Sequence, residues 1–467
     1  MSHQDKDCLI VRTNADCLKQ ALRWLLCQVS WSGIQFRDDC TWTPLQLAAT
    51  AILWAWSDEP TLGERFFTAR RIADHVYQPQ REFATSSQAF LKMLVRWTAA
   101  LTAIVQTALR NRMQEALAAS WTVYGFLVFG VDGSRVEVPR TKSHEAVNGL
   151  ARNKKGRKLK RNRRKKPRTS AHTKKANTPA MWLTLLWHVG SGLPWAWRSG
   201  PTGSSEREHW LQMLEELPLA ALIAADAGFV GYEVLRTVID SGRHVLVRVG
   251  SNVRLLKKLG WAKESAGTVY LWPDRAAQRN QPPLLLRLVV AVGGKHPVYL
   301  VTNVSPSRLR DAQVIEVYRR RWGIELFFRH LKQTFQRRKL RSTSAENARV
   351  ELEWSLVGLW CLALYAQIEL VKQGLDSQGL SMAGALRAFR RTLRDYLHPA
   401  LRKQSLAMLL RHALRDQYPR KDKTSRDYPR KKQPDPPPGE PEVKPASPAQ
   451  IILARQLRNA ARKGLTA

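Results

Sequence analysis

The chain has 467 residues, 44% of them hydrophobic, and 76 Lys+Arg against 38 Asp+Glu give a formal net charge of +38. That apolar fraction at this length supports a large core divided into more than one domain, which excludes a wholly disordered basic protein. Met1 to Lys6 lacks the order of a secretory leader, and the longest apolar stretch, Trp354 to Ala366, falls short of the roughly 20 residues of a membrane span, so a polyanion, most commonly nucleic acid, is the expected partner and a membrane is not.

The five cysteines are odd in number and form no CxxC pair, which argues against a disulfide framework or zinc ribbon and for a reducing intracellular compartment. In chain order, residues 1–120 read as a helical N-terminal DNA-binding domain, with helical spacing in Cys17 to Val29, Leu45 to Trp56 and Gln88 to Ala119. A strand signal runs from Val123 to Val131, ends at Asp132-Gly133 and resumes in the alternating Arg135 to Pro139. From Arg152 to Lys175 there are 14 Lys/Arg and no acid. This basic loop, 152–175, is either a solvated face or a sequence-blind phosphate contact, with Lys154, Lys155, Arg163 and Arg164 as candidate DNA-binding residues.

Met181 to Val189 and Leu193 to Trp197 then read as a hairpin through Gly190-Ser-Gly192, and Ser205 and Glu208 form a capping box before the helix at Trp210 to Leu217. A strand over Ala220 to Ala225 ends at Asp226, and a helix (Tyr232 to Ile239) and a strand (Val245 to Val249) follow. Antiparallel strands followed by alternating helix and strand point to an α/β layer structure. Residues 250–297 break that rhythm and read as an inserted β subdomain. A strand at Val298 to Val304, one long helix over Ser307 to Gln336, a second over Asn347 to Gln373 and a basic amphipathic block at 381–414 come next. Residues 416–467 are expected to be a disordered, basic, Pro-rich tail carrying the repeat Tyr418-Pro-Arg-Lys and Tyr428-Pro-Arg-Lys, with a short amphipathic segment at Ile451 to Arg462.

Asp132 and Asp226 each follow a strongly apolar strand, where acids project into the crevice at a sheet edge; the competing explanation is an ordinary turn aspartate before glycine. More specific is Tyr318-x(2)-Arg321-x(3)-Glu325-x(6)-Lys332, a match expected from composition on the order of a few times in a thousand chains of this length. On a single helix these residues and Arg329 share one strip about 80° wide, flanked by apolar side chains on both sides. A solvated face with an Arg321/Glu325 pair would lack those flanks.

In these residues the chain resembles a DDE transposase of the insertion-sequence-four family: an acid after the first core strand, an acid in the Asp226-Ala-Gly-Phe229 context, and the Y-R-E-K helix. The resemblance covers roughly 120–375. It implies a ribonuclease H-like catalytic core in two parts, 121–249 and 298–375, split by the β insertion 250–297, preceded by the helical domain and followed by a helical C-terminal segment at 376–415.

By that resemblance Asp132, Asp226 and Glu325 are the catalytic acids and hold two magnesium ions, for which manganese may substitute, while Tyr318, Arg321, Arg329 and Lys332 hold the DNA end. The implied activity is metal-dependent cut-and-paste transposition: end nicking, hairpin formation and strand transfer to target DNA. The implied partners are double-stranded DNA, as terminal inverted repeats and target, and a second copy in a homodimeric DNA complex, in a bacterial, cytoplasmic and nucleoid-associated setting. Relatives stack a flipped base on an aromatic of the insertion, for which Trp261 and Trp272 are candidates. A non-catalytic or domesticated DNA-binding protein and another nuclease on the same fold are the alternatives.

Overall fold

The computed structural model describes residues 12–78, 83, 85–149, 179–294, 296–401, 403–415 and 438–464. Four helices come first: α1 (Asn14–Leu26), α2 (Pro44–Trp56), α3 (Leu62–Tyr77) and α4 (Ser87–Ala116). Thr13, Thr43 and Thr61 each open a capping box and Ser86 caps α4, satisfying amides that a helix start leaves unbonded.

The sheet begins with β1 (Val128–Glu137), and after α5 (Lys142–Asn148) the hairpin β2 (Ala180–His188) and β3 (Leu193–Pro201) follows. Then come α6 (Glu206–Gln212), β4 (Leu222–Ala225), α7 (Tyr232–Asp240) and β5 (His244–Val249). Next are β6 (Arg254–Lys257), β7 (Thr268–Leu271), α8 (Asp274–Gln278), β8 (Leu284–Ala291) and β9 (Val298–Thr302). The remaining elements are α9 (Asp311–Arg320), α10 (Gly323–Arg329), α11 (Ala345–Val371), α12 (Met382–Arg394), α13 (Leu406–Arg411), β10 (Glu442–Pro445) and α14 (Pro448–Gly464).

The ten strands of the described residues form one sheet in the order β10-β6-β7-β8-β9-β5-β4-β1-β2-β3. β1 pairs antiparallel with β2 and parallel with β4, and β4 pairs parallel with β5. The strands of 250–297 thus extend this sheet through β9 instead of forming a separate layer. Helix α11 is apolar on all sides and almost wholly buried, as expected of a helix at the centre of a large core. Helices α4 and α11 are both long and apolar enough to cross a membrane, but 94% of the most apolar stretch of α11 is buried within the fold. The N-terminal helices share its core: the Trp56 indole donates to the Gly358 carbonyl at 2.7 Å and the Trp354 indole to Thr98 Oγ1 at 2.9 Å.

Three sequence expectations are corrected. Asp132 lies inside β1 and not at its end, because β2 pairs along β1 to Glu137 while the pairing with β4 stops at Val131. The long helix over 307–336 is instead α9, a tight turn at Arg321-Trp322, α10 and a π-helical turn at His330–Thr334. A Cβ at Gly323 would stand 2.9 Å from Trp187 Nε1, so glycine lets this tight turn lie close against β2. The tail is ordered over 438–464: β10 pairs parallel with β6 and Ala454 of α14 is fully buried. An edge strand with open hydrogen-bonding groups supplies the order that the tail's own composition cannot. Residues 416–437 and the basic loop 152–175 lie outside the described residues.

Candidate active site

Val131 of β1 and Ala225 of β4 are the last registered pair of their parallel ladder, and the next residue on each strand is an aspartate. Asp132, still within β1, and Asp226, just past the end of β4, therefore sit side by side on adjacent strands, at the carboxyl end of the parallel part of the sheet. Each is held by a nearby amide: Gly133 N–H donates to Asp132 Oδ1 and Gly228 N–H to Asp226 Oδ1, both at 2.8 Å.

The junction of α9 and α10 lies over Asp132. Gly130, two residues earlier on the same face of β1, leaves room for Arg321, whose Cγ would stand 3.4 Å from a Cβ there. The Arg321 guanidinium is nearly buried; Nη2 donates to Glu325 Oε1 at 3.0 Å and Nη1 stands 3.9 Å from Asp132 Oδ2. Its Cζ lies over the Tyr318 ring, 5.5 Å from the centroid. Lys332, carried by the π-helical turn, donates to Ser134 Oγ of β1 at 2.5 Å. π-turns are frequent at functional sites, and this one aims a residue of the helical layer at the sheet.

Burial pushes the Asp132 carboxyl up to about 7; Asp226 and Glu206 add repulsion, while Arg321 and the Gly133 amide pull it down. Burial also raises the Tyr318 phenol. Burial works against the charge of Arg321, yet Tyr318, Asp132, Glu325 and Asp226 together hold its pKa above the ordinary value. Burial, and then Arg338, lowers Lys332.

The structure thus brings Tyr318, Arg321, Glu325 and Lys332 together with Asp132 and Asp226. Arg329 is exposed and takes no part in these contacts. Lys154, Lys155, Arg163 and Arg164 lie outside the described residues. Trp272 is buried and its indole donates to the Gln281 carbonyl, which makes it a core residue; Trp261 is half-buried against the core. Spacing along the chain singles out neither Ser134 nor the opening turn of α6, where Glu206 lies against β1 and Arg207 bonds the turn after Asp226; the one signal there is the Ser205/Glu208 capping box.

Among the described residues, no three Asp, Glu, His or Cys side chains stand close enough to enclose a cation unaided. The donor set still suits a hard divalent ion: three carboxylates, two with one oxygen anchored by an amide, and a buried Asp132 whose charge lacks full compensation. The single guanidinium shared by Asp132 and Glu325 marks where positive charge is needed.

Residues 125–362 match the family described as the transposase DDE domain, and the chain belongs to that family. It is 26% identical over 216 residues to the transposase InsG for insertion sequence element IS4 of Escherichia coli (strain K12), a match covering 44% of this chain and 48% of that protein. The chain therefore spans about half the length of that curated relative. A piggyBac transposase synaptic complex with hairpin DNA aligns over 90% of this chain and 89% of that one, with 11% identity and a TM-score of 0.38.

Proposed function

We propose that this protein is a DNA transposase in which Asp132, Asp226 and Glu325 act as one site for phosphodiester cleavage and transfer. The observation that carries this is the adjacency of Asp132 and Asp226, each the residue after the last pair of one parallel ladder, with Glu325 tied to Asp132 through Arg321. The core is ribonuclease H-like in this account, supported by the neighbour order β3-β2-β1-β4-β5 with two antiparallel and then two parallel pairings.

The carboxylate oxygens of Asp132, Asp226 and Glu325 would hold magnesium or manganese, which when bound neutralises the acids and supplies Lewis-acid activation at a phosphodiester. The Gly133 and Gly228 amides each hold Oδ1 of one aspartate, and Asp132 Oδ2 stands 3.9 Å from Arg321 Nη1. Arg321 keeps Asp132 and Glu325 as a charge-compensated pair, and with Tyr318 and Lys332 it offers N–H and O–H groups to the phosphates of a transposon end, contacts that position without reading sequence. Water is the first nucleophile, and the freed three-prime hydroxyl serves for hairpin formation and strand transfer. Residues 1–120, the 152–175 loop and a second copy of the chain complete the grip on end and target DNA.

The test is Glu325→Gln on duplexes carrying the DNA that flanks the coding region. End binding stays within about twofold of wild type and magnesium-dependent nicking is lost. Nicking at the wild-type rate would exclude Glu325 from the site.

A further inference from the structure

The first turn of α6 stands at the same sheet edge as the two aspartates. Ser205 caps it, its hydroxyl accepting from the Glu208 amide, so the next two side chains, Glu206 and Arg207, are delivered together. Glu206 lies over Gly133: a Cβ there would be 2.5 Å from its Oε1, so only glycine allows this carboxylate against the strand beside Asp132. Arg207 lies across the Asp226 turn. Its Nε donates to the Gly228 carbonyl at 3.0 Å, and its Nη1 is 3.2 Å from where a Cβ on Gly231 would sit. Gly228 therefore gives its amide to Asp226 Oδ1 and its carbonyl to Arg207.

We propose that the first turn of α6 is a positioning clamp for the aspartate pair: Arg207 fixes the turn that orients Asp226, and Glu206 bears on β1 beside Asp132 and adds negative charge to the cation pocket. The proposal rests on the site proposed above. Outer-shell partners of metal-holding carboxylates typically change metal affinity or activity by about 10–100-fold when removed. Neither residue touches the reacting phosphate in this account.

The experiment uses the full chain with Arg207→Gln, Arg207→Lys, Glu206→Gln and, as reference, Asp226→Asn. Manganese affinity is read by calorimetry and amide exchange over 226–231 by mass spectrometry. Arg207→Gln is expected to weaken manganese binding about tenfold or more and to speed exchange over the turn, with urea midpoint unchanged. Arg207→Lys, which keeps a donor for the Gly228 carbonyl, recovers part of both. Glu206→Gln weakens manganese binding without changing exchange over 226–231. If Asp226→Asn loses manganese while Arg207→Gln binds and exchanges like wild type, the clamp is overturned and the site stands. If Glu206→Gln binds manganese like wild type, the Glu206 half of the clamp is overturned. If Asp226→Asn itself binds manganese and cuts DNA like wild type, the site is overturned and the clamp with it.

Discussion

Replacing Asp132 by Asn should make the cation-free protein more stable, and only above mildly acidic pH. The carboxyl, ordinarily at 3.8, is pushed up to about 7, chiefly by burial. The folded chain thus keeps a proton that the unfolded chain releases, so the contribution of this one group to stability is fully present below about pH 4 and is lost as pH rises towards 7. With a side chain only one-fifth exposed, the loss on going from pH 4 to pH 8 is about 2–4 kcal/mol. Asparagine carries no charge and keeps an oxygen for the Gly133 amide, so it escapes this loss. The assay is urea denaturation of both proteins in EDTA at pH 4.5 and pH 8. The Asp132→Asn advantage should appear at pH 8 and largely vanish at pH 4.5, and magnesium should raise the wild-type midpoint only. An advantage of equal size at both pH values would mean that burial does not hold the Asp132 carboxyl protonated.

Converting Lys154, Lys155, Arg163 and Arg164 to Gln should reduce the slope of log affinity against log salt by about 0.9 for each DNA phosphate that is no longer neutralised, measured by fluorescence anisotropy on random duplex DNA. An unchanged slope would make the loop a solvated face. Deleting residues 438–467 should uncover the β6 edge and the apolar bed of Ala454, giving self-association visible by light scattering. A truncated chain that stays monodisperse would mean β10 does not protect that edge.

The core strands are legible in the sequence because β1 to β5 are apolar runs bounded by Gly, Asp or a helix cap. The acids are legible for the same reason, since each follows an apolar run that has a registered partner. The tight turn at Arg321-Trp322 is not, because helical spacing alone favours an unbroken α9 and the close approach of Gly323 to Trp187 comes from a distant strand. The same strip of residues still converges, since the π-turn re-aims Lys332 at Ser134. Helix α3 goes unmarked although Thr61 and Glu64 have capping-box spacing, and β10 is hidden because a strand in a Pro-rich tail exists only through the edge it pairs with. Glu206 and Arg207 read as ordinary first-turn charges; only the fold shows that they face the aspartates' strands.

Iron-directed cleavage of the polypeptide distinguishes one cation site shared by Asp132, Asp226 and Glu325 from separate acids. Ferrous iron replaces magnesium, and hydroxyl radicals generated with ascorbate and peroxide cut the backbone near the bound ion. Cuts clustered around Asp132, Asp226 and Glu325, all suppressed by excess magnesium and all weakened together by any one of Asp132→Asn, Asp226→Asn or Glu325→Gln, are the predicted result. Cuts at only one of the three positions, or cuts that survive all three substitutions, would contradict it.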